Sequence, residues 1–364
     1  MIFYHLLSLF HITSILSLVS RNRGVVLFFS CVTIIFFILL SGFRYYADAD
    51  YGAYVIIYDQ VPKLDDFTMS NVADIHSEIG FKFFISIFKS FDVSYELFFL
   101  VVATLSVLIK VFYFKRFYSL SSSAFSMCLL WYLTFNYFSF DFIQIRMGLA
   151  IGVIGFSTLF YLRGENLKSL FMILLASLIH SVSIISLFVF LSKKSRLSWL
   201  YAITSALYLL SFISNFQNLL LTLITPLSYI NADIIPLFER TIQNTMFGQP
   251  VSPLQISPVK HMAIISACYI LNKKLDENTI LVFKIYCTGF IVSLFCINTE
   301  IFYSRISSIF DITEPVLIAM IIRDIFGIRN EKVVHCILIA MLFVFFNYYI
   351  VQSNSIYHYK SWLS

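Results

Sequence analysis

Charged residues are scarce in this sequence: Asp, Glu, Lys and Arg make up 12% of its 364 residues, where globular chains carry roughly 25%. A surface that poor in charge excludes an ordinary soluble enzyme. The charges present nearly balance, 25 Lys and Arg against 20 Asp and Glu, and the scattered net +5 is no electrostatic footprint for nucleic acid. Cysteine motifs are missing too. Cys31, Cys128, Cys268, Cys287, Cys296 and Cys336 all fall in apolar stretches without CxxC or Cys/His spacing, so neither a zinc site nor a disulfide framework is indicated and the six read as small core hydrophobes. No P-loop, GxSxG, HExxH or GxGxxG context occurs, which speaks against nucleotide chemistry of the soluble type.

What is abundant is apolar. Hydrophobic residues reach 59% and aromatic ones 18%, with 41 Phe and 22 Tyr, and mean hydropathy is +0.86. These values define an all-α, polytopic integral membrane protein. A crossing helix needs about 20 mainly apolar residues, and about 11 hydrophobic segments answer, at 2–20, 24–42, 94–114, 122–140, 143–162, 169–192, 197–213, 259–272, 279–298, 304–322 and 333–352, giving 10–12 crossings. The first segment lacks the charged start and small-residue cleavage site of a removed signal peptide, so it is read as a spanning helix. No repeat, low-complexity linker or second domain interrupts the chain, and 1–364 is expected to form one membrane domain.

Lys and Arg set the orientation. Basic clusters at Arg21/Arg23, Lys115/Arg116, Arg163/Lys168, Lys193/Lys194/Arg196, Lys273/Lys274 and Arg323/Arg329/Lys332 mark the cytoplasmic side. The loop 43–77 carries six aspartates against Arg44 and Lys63, and the loop 214–258 has Arg240 as its only basic residue, so both loops and both termini are placed outside. The stretch 169–192 conflicts with this scheme, because it is one crossing long yet lies between two cytoplasmic clusters. Its polar centre, His180-Ser181, suggests two half-helices meeting at His180 in a hairpin. The segment Gly80 to Phe91 is too short to span and carries Lys82 and Lys89 at i, i+7, as an interfacial or half-inserted helix does.

Ionisable groups at the edges of apolar helices are costly and therefore candidates for function. Arg44, Arg146 and Arg305 sit at helix ends and Arg240 in the large loop, all on the outer face, where a rigid guanidinium fork suits phosphate or pyrophosphate; each can also simply snorkel or pair with an aspartate. Phe43 to Tyr54 joins aspartates, among them Asp50, to Tyr51 and Tyr54, a mixture that suits sugar hydroxyls and sugar faces and equally an interfacial tyrosine belt. Glu78 is either a catalytic carboxylate or a helix-dipole partner. His180 is either a general base near neutral pH or a core histidine. Asp141 and Arg146 can form an ion pair, and Gly148, Gly152 and Gly155 give a smooth helix face for close packing. Asp311 and Glu314, without a basic partner in view, keep a proton-coupled transporter open.

In order along the chain these residues resemble the motifs of the EpsG-like branch of Wzy-type polysaccharide polymerases. Phe43-Arg44 with Asp50-Tyr51 and Tyr54 is similar to that family's F-R…G-x-D-Y-x-x-Y, Glu78-x-Gly80-Phe81 to E-P-G-F, Arg146-Met147-Gly148-Leu149-Ala150 to R-Q-x-L-A, Ile179-His180-Ser181 to I-H-[PY]-S, and Arg305 to an arginine opening a late helix. Asp48 stands where the family usually has Gly, Ile79 replaces Pro and Met147 replaces Gln. The resemblance implies a GT-C-like glycosyltransferase of the bacterial inner membrane. It would work at the periplasmic face without cofactor or metal, moving a growing glycan from undecaprenyl pyrophosphate onto a lipid-linked repeat unit of O-antigen. It further implies a chain-length regulator as partner. His180, Glu78 or Asp50 would serve as base, Arg146 and Arg305 would bind pyrophosphate, and Arg44 would organise the acidic loop or a second phosphate. The rival readings are a flippase for the same lipid-linked oligosaccharide and, behind it, a membrane O-acetyltransferase.

Overall fold

Helices form wherever the sequence runs apolar without proline, and the caps fall where short polar side chains precede those runs. The computed structural model describes residues 23–117, 122–213, 250–352 and 361–362; the expected first crossing and Arg240 lie outside them. The described helices are α1 (Arg23–Gly42), α2 (Tyr51–Gln60), α3 (Ile79–Ser90), α4 (Tyr95–Arg116), α5 (Ser122–Tyr132), α6 (Ile145–Leu162), α7 (Asn166–Ile179), α8 (Leu197–Leu210), α9 (Ile256–Leu271), α10 (Glu277–Leu294), α11 (Glu300–Asp311) and α12 (Glu314–Gln352), with short helical turns between some of them. Ser94 caps α4 through Leu97 N–H and Asp276 caps α10 through Thr279 N–H. Gly164, at φ +78, ends α6 and turns the chain into α7. Among the described residues there is no β-strand, and α4, α6 and α10 are long and apolar enough to cross a membrane.

Several expected segments are broken. The run 122–140 is α5 followed by a π-helical stretch, Leu133–Ile143, which carries Asp141. The run 169–192 breaks at His180, which is extended (φ −147, ψ 114) between α7 and the 3-10 helix Ser181–Phe188. The run 304–322 is also no single helix, since α11 ends at Asp311 and α12 begins at Glu314. Gly327, at φ 69 and ψ 164, kinks α12.

The chain falls into two compact units, residues 1–184 with 318–364, and residues 185–317. In the first, α6 packs on α4 and α7, α1 packs on α4, and α3 packs on α7. The glycine face of α6 does what its spacing implies, for a Cβ on Gly152 would meet Ile109 at 2.9 Å and one on Gly155 would meet the Tyr113 ring at 3.0 Å. A second core lies under the acidic loop, where the rings of Tyr51, Tyr54, Tyr58, Phe81, Phe98 and Phe99 pack edge to face or tilted. The lysines of α3 serve this core. Lys82 Nζ donates to the carbonyls of Val72 (2.6 Å) and Ile75 (3.1 Å), and Lys89 Nζ to those of Tyr58, Asp59 and Val61. They tie the loop and the end of α2 to α3. In the second unit, α10 packs on α8, α9 and α11.

Candidate functional site

Glu78 occupies the cap position of α3 without capping it. Its carboxylate turns away, accepting from Arg146 Nη1 at 2.6 Å through one oxygen and from Ser181 N–H at 3.0 Å and Ser181 Oγ at 3.2 Å through the other. His180 Nδ1 lies 4.0 Å from that second oxygen. What allows the approach is Gly80: a Cβ there would meet the Leu178 carbonyl oxygen at 2.6 Å, so only glycine lets the start of α3 press on the end of α7. Burial acts to raise the Glu78 carboxyl, but the Arg146 guanidinium, the Ser181 N–H and His180 outweigh it and hold the group below its ordinary range. Glu78 is therefore an anion at neutral pH.

Arg146, in the first turn of α6, also donates to Ser77 Oγ at 3.0 Å and stands over the rings of Tyr54 (5.6 Å) and Phe81 (6.0 Å). Its side chain and that of Glu78 keep 17% exposure each, and its Nε has no hydrogen-bond partner among the described residues. Asp141 is not its counter-ion, contrary to the pairing that five residues of separation suggested; that carboxylate belongs to Lys110, at 2.7 Å. Ser77 and Glu78 supply the polar contacts of Arg146, and its neighbour Met147 is fully buried.

A second group lies at the head of α2. Arg44 is buried, with Nε on Asp48 Oδ2 (2.7 Å), Nη1 on the Ser41 carbonyl (2.8 Å), and the rings of Tyr51, Phe99 and Phe142 about its guanidinium. Asp48 Oδ1 in turn accepts from Asp50 N–H at 3.0 Å. The departure at position 48 has a structural consequence, because the carboxylate joins Arg44 to the start of α2. Asp50 is half-buried at the start of α2. Tyr51 and Tyr54, at 0% and 5% exposure, are core residues, and burial pushes both hydroxyls up despite Arg44 beside one and Arg146 beside the other. The ring that faces outward is Tyr46, 53% exposed, held at φ 43 with its ring 4.9 Å from Tyr45 and 4.8 Å from Tyr51. Sequence reasoning missed it. The chain's far end also reaches this loop, with Trp362 N–H on the Phe43 carbonyl and the Trp362 indole N–H on that of Gly42, both at 3.2 Å.

The second unit holds Arg305, half-buried in the second turn of α11, and a cluster that was seen only in part. Asp311 and Glu314 do have basic partners. His261 Nε2 is 2.7 Å from Asp311 Oδ1, and Lys260 Nζ is 2.7 Å from Glu314 Oε1, whose other oxygen accepts from Tyr286 Oη at 2.6 Å. His261, Asp311 and Glu314 bring three ligand atoms within 4.8 Å of one another, a donor set of the kind that holds a divalent ion. The Lys260 ammonium already stands against one carboxylate. His261 Nδ1 faces the Ser257 carbonyl at 2.6 Å, which can only accept, so Nδ1 carries a proton and Nε2 shares another with Asp311. Lys260 and His261 thus already engage both carboxylates.

Comparison with known proteins adds one match. The EpsG family profile matches residues 27–361. No curated protein and no solved structure matches the chain.

Proposed function

Because this chain belongs to the EpsG family, we propose that it is a polysaccharide polymerase, a multi-pass GT-C-like glycosyltransferase of the bacterial inner membrane. In this reading it moves a growing glycan from undecaprenyl pyrophosphate onto a lipid-linked repeat unit at the periplasmic face. The observation that carries the reading is the Arg146–Glu78–His180 constellation, in which a partly exposed guanidinium, a carboxylate and an imidazole from three separate elements meet.

The chemistry follows from what each group can do. The acceptor hydroxyl oxygen attacks the anomeric carbon of the donor, the bond from that carbon to pyrophosphate breaks, and the electron pair leaves with the lipid pyrophosphate. His180 takes the hydroxyl proton. Glu78, already ionised, supports the imidazolium that forms, as a carboxylate does beside a catalytic histidine; held below its ordinary pKa, it is too weak a base to be first choice itself. Arg146 faces the negative charge growing on the leaving group. Tyr46 offers its ring to a sugar face, in place of the buried Tyr51 and Tyr54. Asp50 is left as an acceptor for sugar hydroxyls, and Arg305 is assigned to phosphate in its own unit.

The test is polymer formation in a strain lacking the gene, restored with wild type or variants and read on a lipopolysaccharide gel. Arg146→Lys keeps the charge and loses the fork and should shorten the ladder, whereas His180→Ala should reduce it to core plus one repeat. Tyr46→Phe should keep the ladder and Tyr46→Ala shorten it. Loss of even the single repeat on deletion would instead mark a flippase, and an unchanged ladder with Arg146→Lys would remove the assignment of that arginine.

A further inference from the structure

Lys110 lies in the middle of α4, fully enclosed, and its ammonium gathers acceptors from three elements. Nζ donates to Asp141 Oδ1 at 2.7 Å, to Ser106 Oγ at 2.7 Å and to the Gly148 carbonyl at 2.7 Å. Asp141 is equally enclosed, and its second oxygen accepts from Tyr132 Oη at 2.6 Å. The side chains of the pair are 2% and 0% exposed, so no substrate reaches them, and a charge left alone there would be severely destabilising. Their position in the chain is what gives them a use. Asp141 precedes Arg146 by five residues and Gly148 follows it by two, so one ammonium grips the chain on both sides of that arginine.

The backbone between is shaped to permit this. Asp141 is carried by the π-helical stretch Leu133–Ile143, whose wide turn is rare and recurs near functional sites. Gln144 N–H donates back to the Ser139 carbonyl at 3.0 Å, and Gly148 N–H to the Gln144 carbonyl at 2.9 Å. A Cβ on Gly148 would meet the Phe140 carbonyl oxygen at 2.5 Å and Asp141 Oδ1 at 3.0 Å, so the π segment folds directly onto the first turns of α6. Ile145 and Met147, on either side of Arg146, are buried at 1% and 0%. The Arg146 backbone is thus held from within while its tip is held by Ser77 and Glu78.

We propose that the Lys110–Asp141 pair, with Tyr132 behind it, positions Arg146 for glycosyl transfer; the inference rests on the role given to Arg146 above. Lys110, Asp141 and Tyr132 are positioning residues that never touch substrate. A structural brace would lower the amount of folded protein and multiply every variant's loss by the same factor. A positioning device loses its effect once the positioned group is already impaired.

The experiment is a double-mutant cycle on full-length protein in detergent, with polymerisation of lipid-linked repeat units measured per folded molecule and KM for the donor lipid determined. Lys110→Met should lower kcat/KM at least tenfold in the wild-type background and less than twofold further in the Arg146→Lys background. Should Lys110→Met fail to fold, Tyr132→Phe removes one hydroxyl from Asp141 without changing shape, and should give a threefold or larger loss with the same non-additivity. Equal losses in both backgrounds, or kcat/KM within twofold of wild type for the variants that fold, would overturn the inference. If Arg146→Lys itself polymerises normally, the role given to Arg146 fails first, and that outcome is distinct because it needs neither Lys110 nor Tyr132 variant.

Discussion

At the scale of single residues, the decisive fact about Glu78 is where its carboxylate goes. A helix-start acid spent on the dipole would leave Arg146 to phosphate alone, whereas here the two are joined at 2.6 Å and Ser181 takes the other oxygen. That arrangement has a pH signature. The folded-state pKa of Glu78 lies below its ordinary value of 4.5, so its contribution to stability is fully present above that value and is lost as pH falls through the depressed one. Glu78→Gln should therefore destabilise the protein by a roughly constant amount between about pH 6 and 8, on the order of 1.5–3 kcal/mol for charge-assisted hydrogen bonds, and the gap from wild type should close on acidification below 4.5. Melting temperatures of both proteins across that range check it; a gap that widens in acid would mean that Glu78 is protonated in the folded state. Arg44 is the contrasting residue. Equally an arginine at a helix end, it is enclosed and bound to Asp48, and no periodicity distinguishes the buried arginine from the half-exposed one.

At the scale of elements, apolar runs located α1, α4, α6, α8, α9 and α10 closely, because a long hydrophobic stretch has no other low-energy form in a membrane. Breaks at His180 and after Asp311 were less legible. Only the polar His180-Ser181 pair betrayed the first, and the second depends on partners fifty residues back in the chain. Close approaches of elements are carried by glycines, and these yield a sharp expectation. Gly80→Ala would drive a Cβ to 2.6 Å from the Leu178 carbonyl oxygen, which is backbone and cannot swing aside. The start of α3 must then lift from α7, separating Glu78 from Ser181 and His180. The expected result is a loss of about 1–3 kcal/mol, the usual range for an overpacked site, with polymer formation falling more than stability does. Gly52→Ala is the control, since its Cβ would meet only a Tyr46 ring carbon at 3.7 Å. Comparable activity loss in both variants would show that the α3–α7 approach has no special role.

At the scale of the whole chain, the described cores enclose ion pairs from segments far apart in sequence: Lys110 with Asp141, and Lys260 and His261 with Glu314 and Asp311. Sequence reading found one side of each, because an ionisable residue in an apolar run is visible by itself while its partner is fixed only by packing. Removing one partner leaves a buried charge, so Lys260→Met should cost about 3–5 kcal/mol and Lys260→Met with Glu314→Gln together markedly less, measured by thermal unfolding; additive losses would mean the two do not interact. Orientation is the remaining whole-molecule property, and it rests on charge asymmetry alone. Loop 43–77 is acidic and 193–196 is basic, so the expectation from the positive-inside rule, which thiol labelling tests, is the first outside and the second inside. The native cysteines Cys128, Cys268 and Cys287 are buried, with Cys31 in the apolar helix α1, so a single engineered thiol can be read against a low background in a variant lacking Cys31, Cys296 and Cys336. Asp66→Cys, near the exposed tip of the acidic loop, should react with a membrane-impermeant maleimide in cells whose outer membrane alone is opened. Lys194→Cys should react only after the inner membrane is broken. The reverse pattern would put Arg146, Glu78 and His180 on the cytoplasmic side, where a lipid-linked acceptor delivered to the periplasm could not reach them, and the polymerase reading would have to give way to chemistry at the inner leaflet.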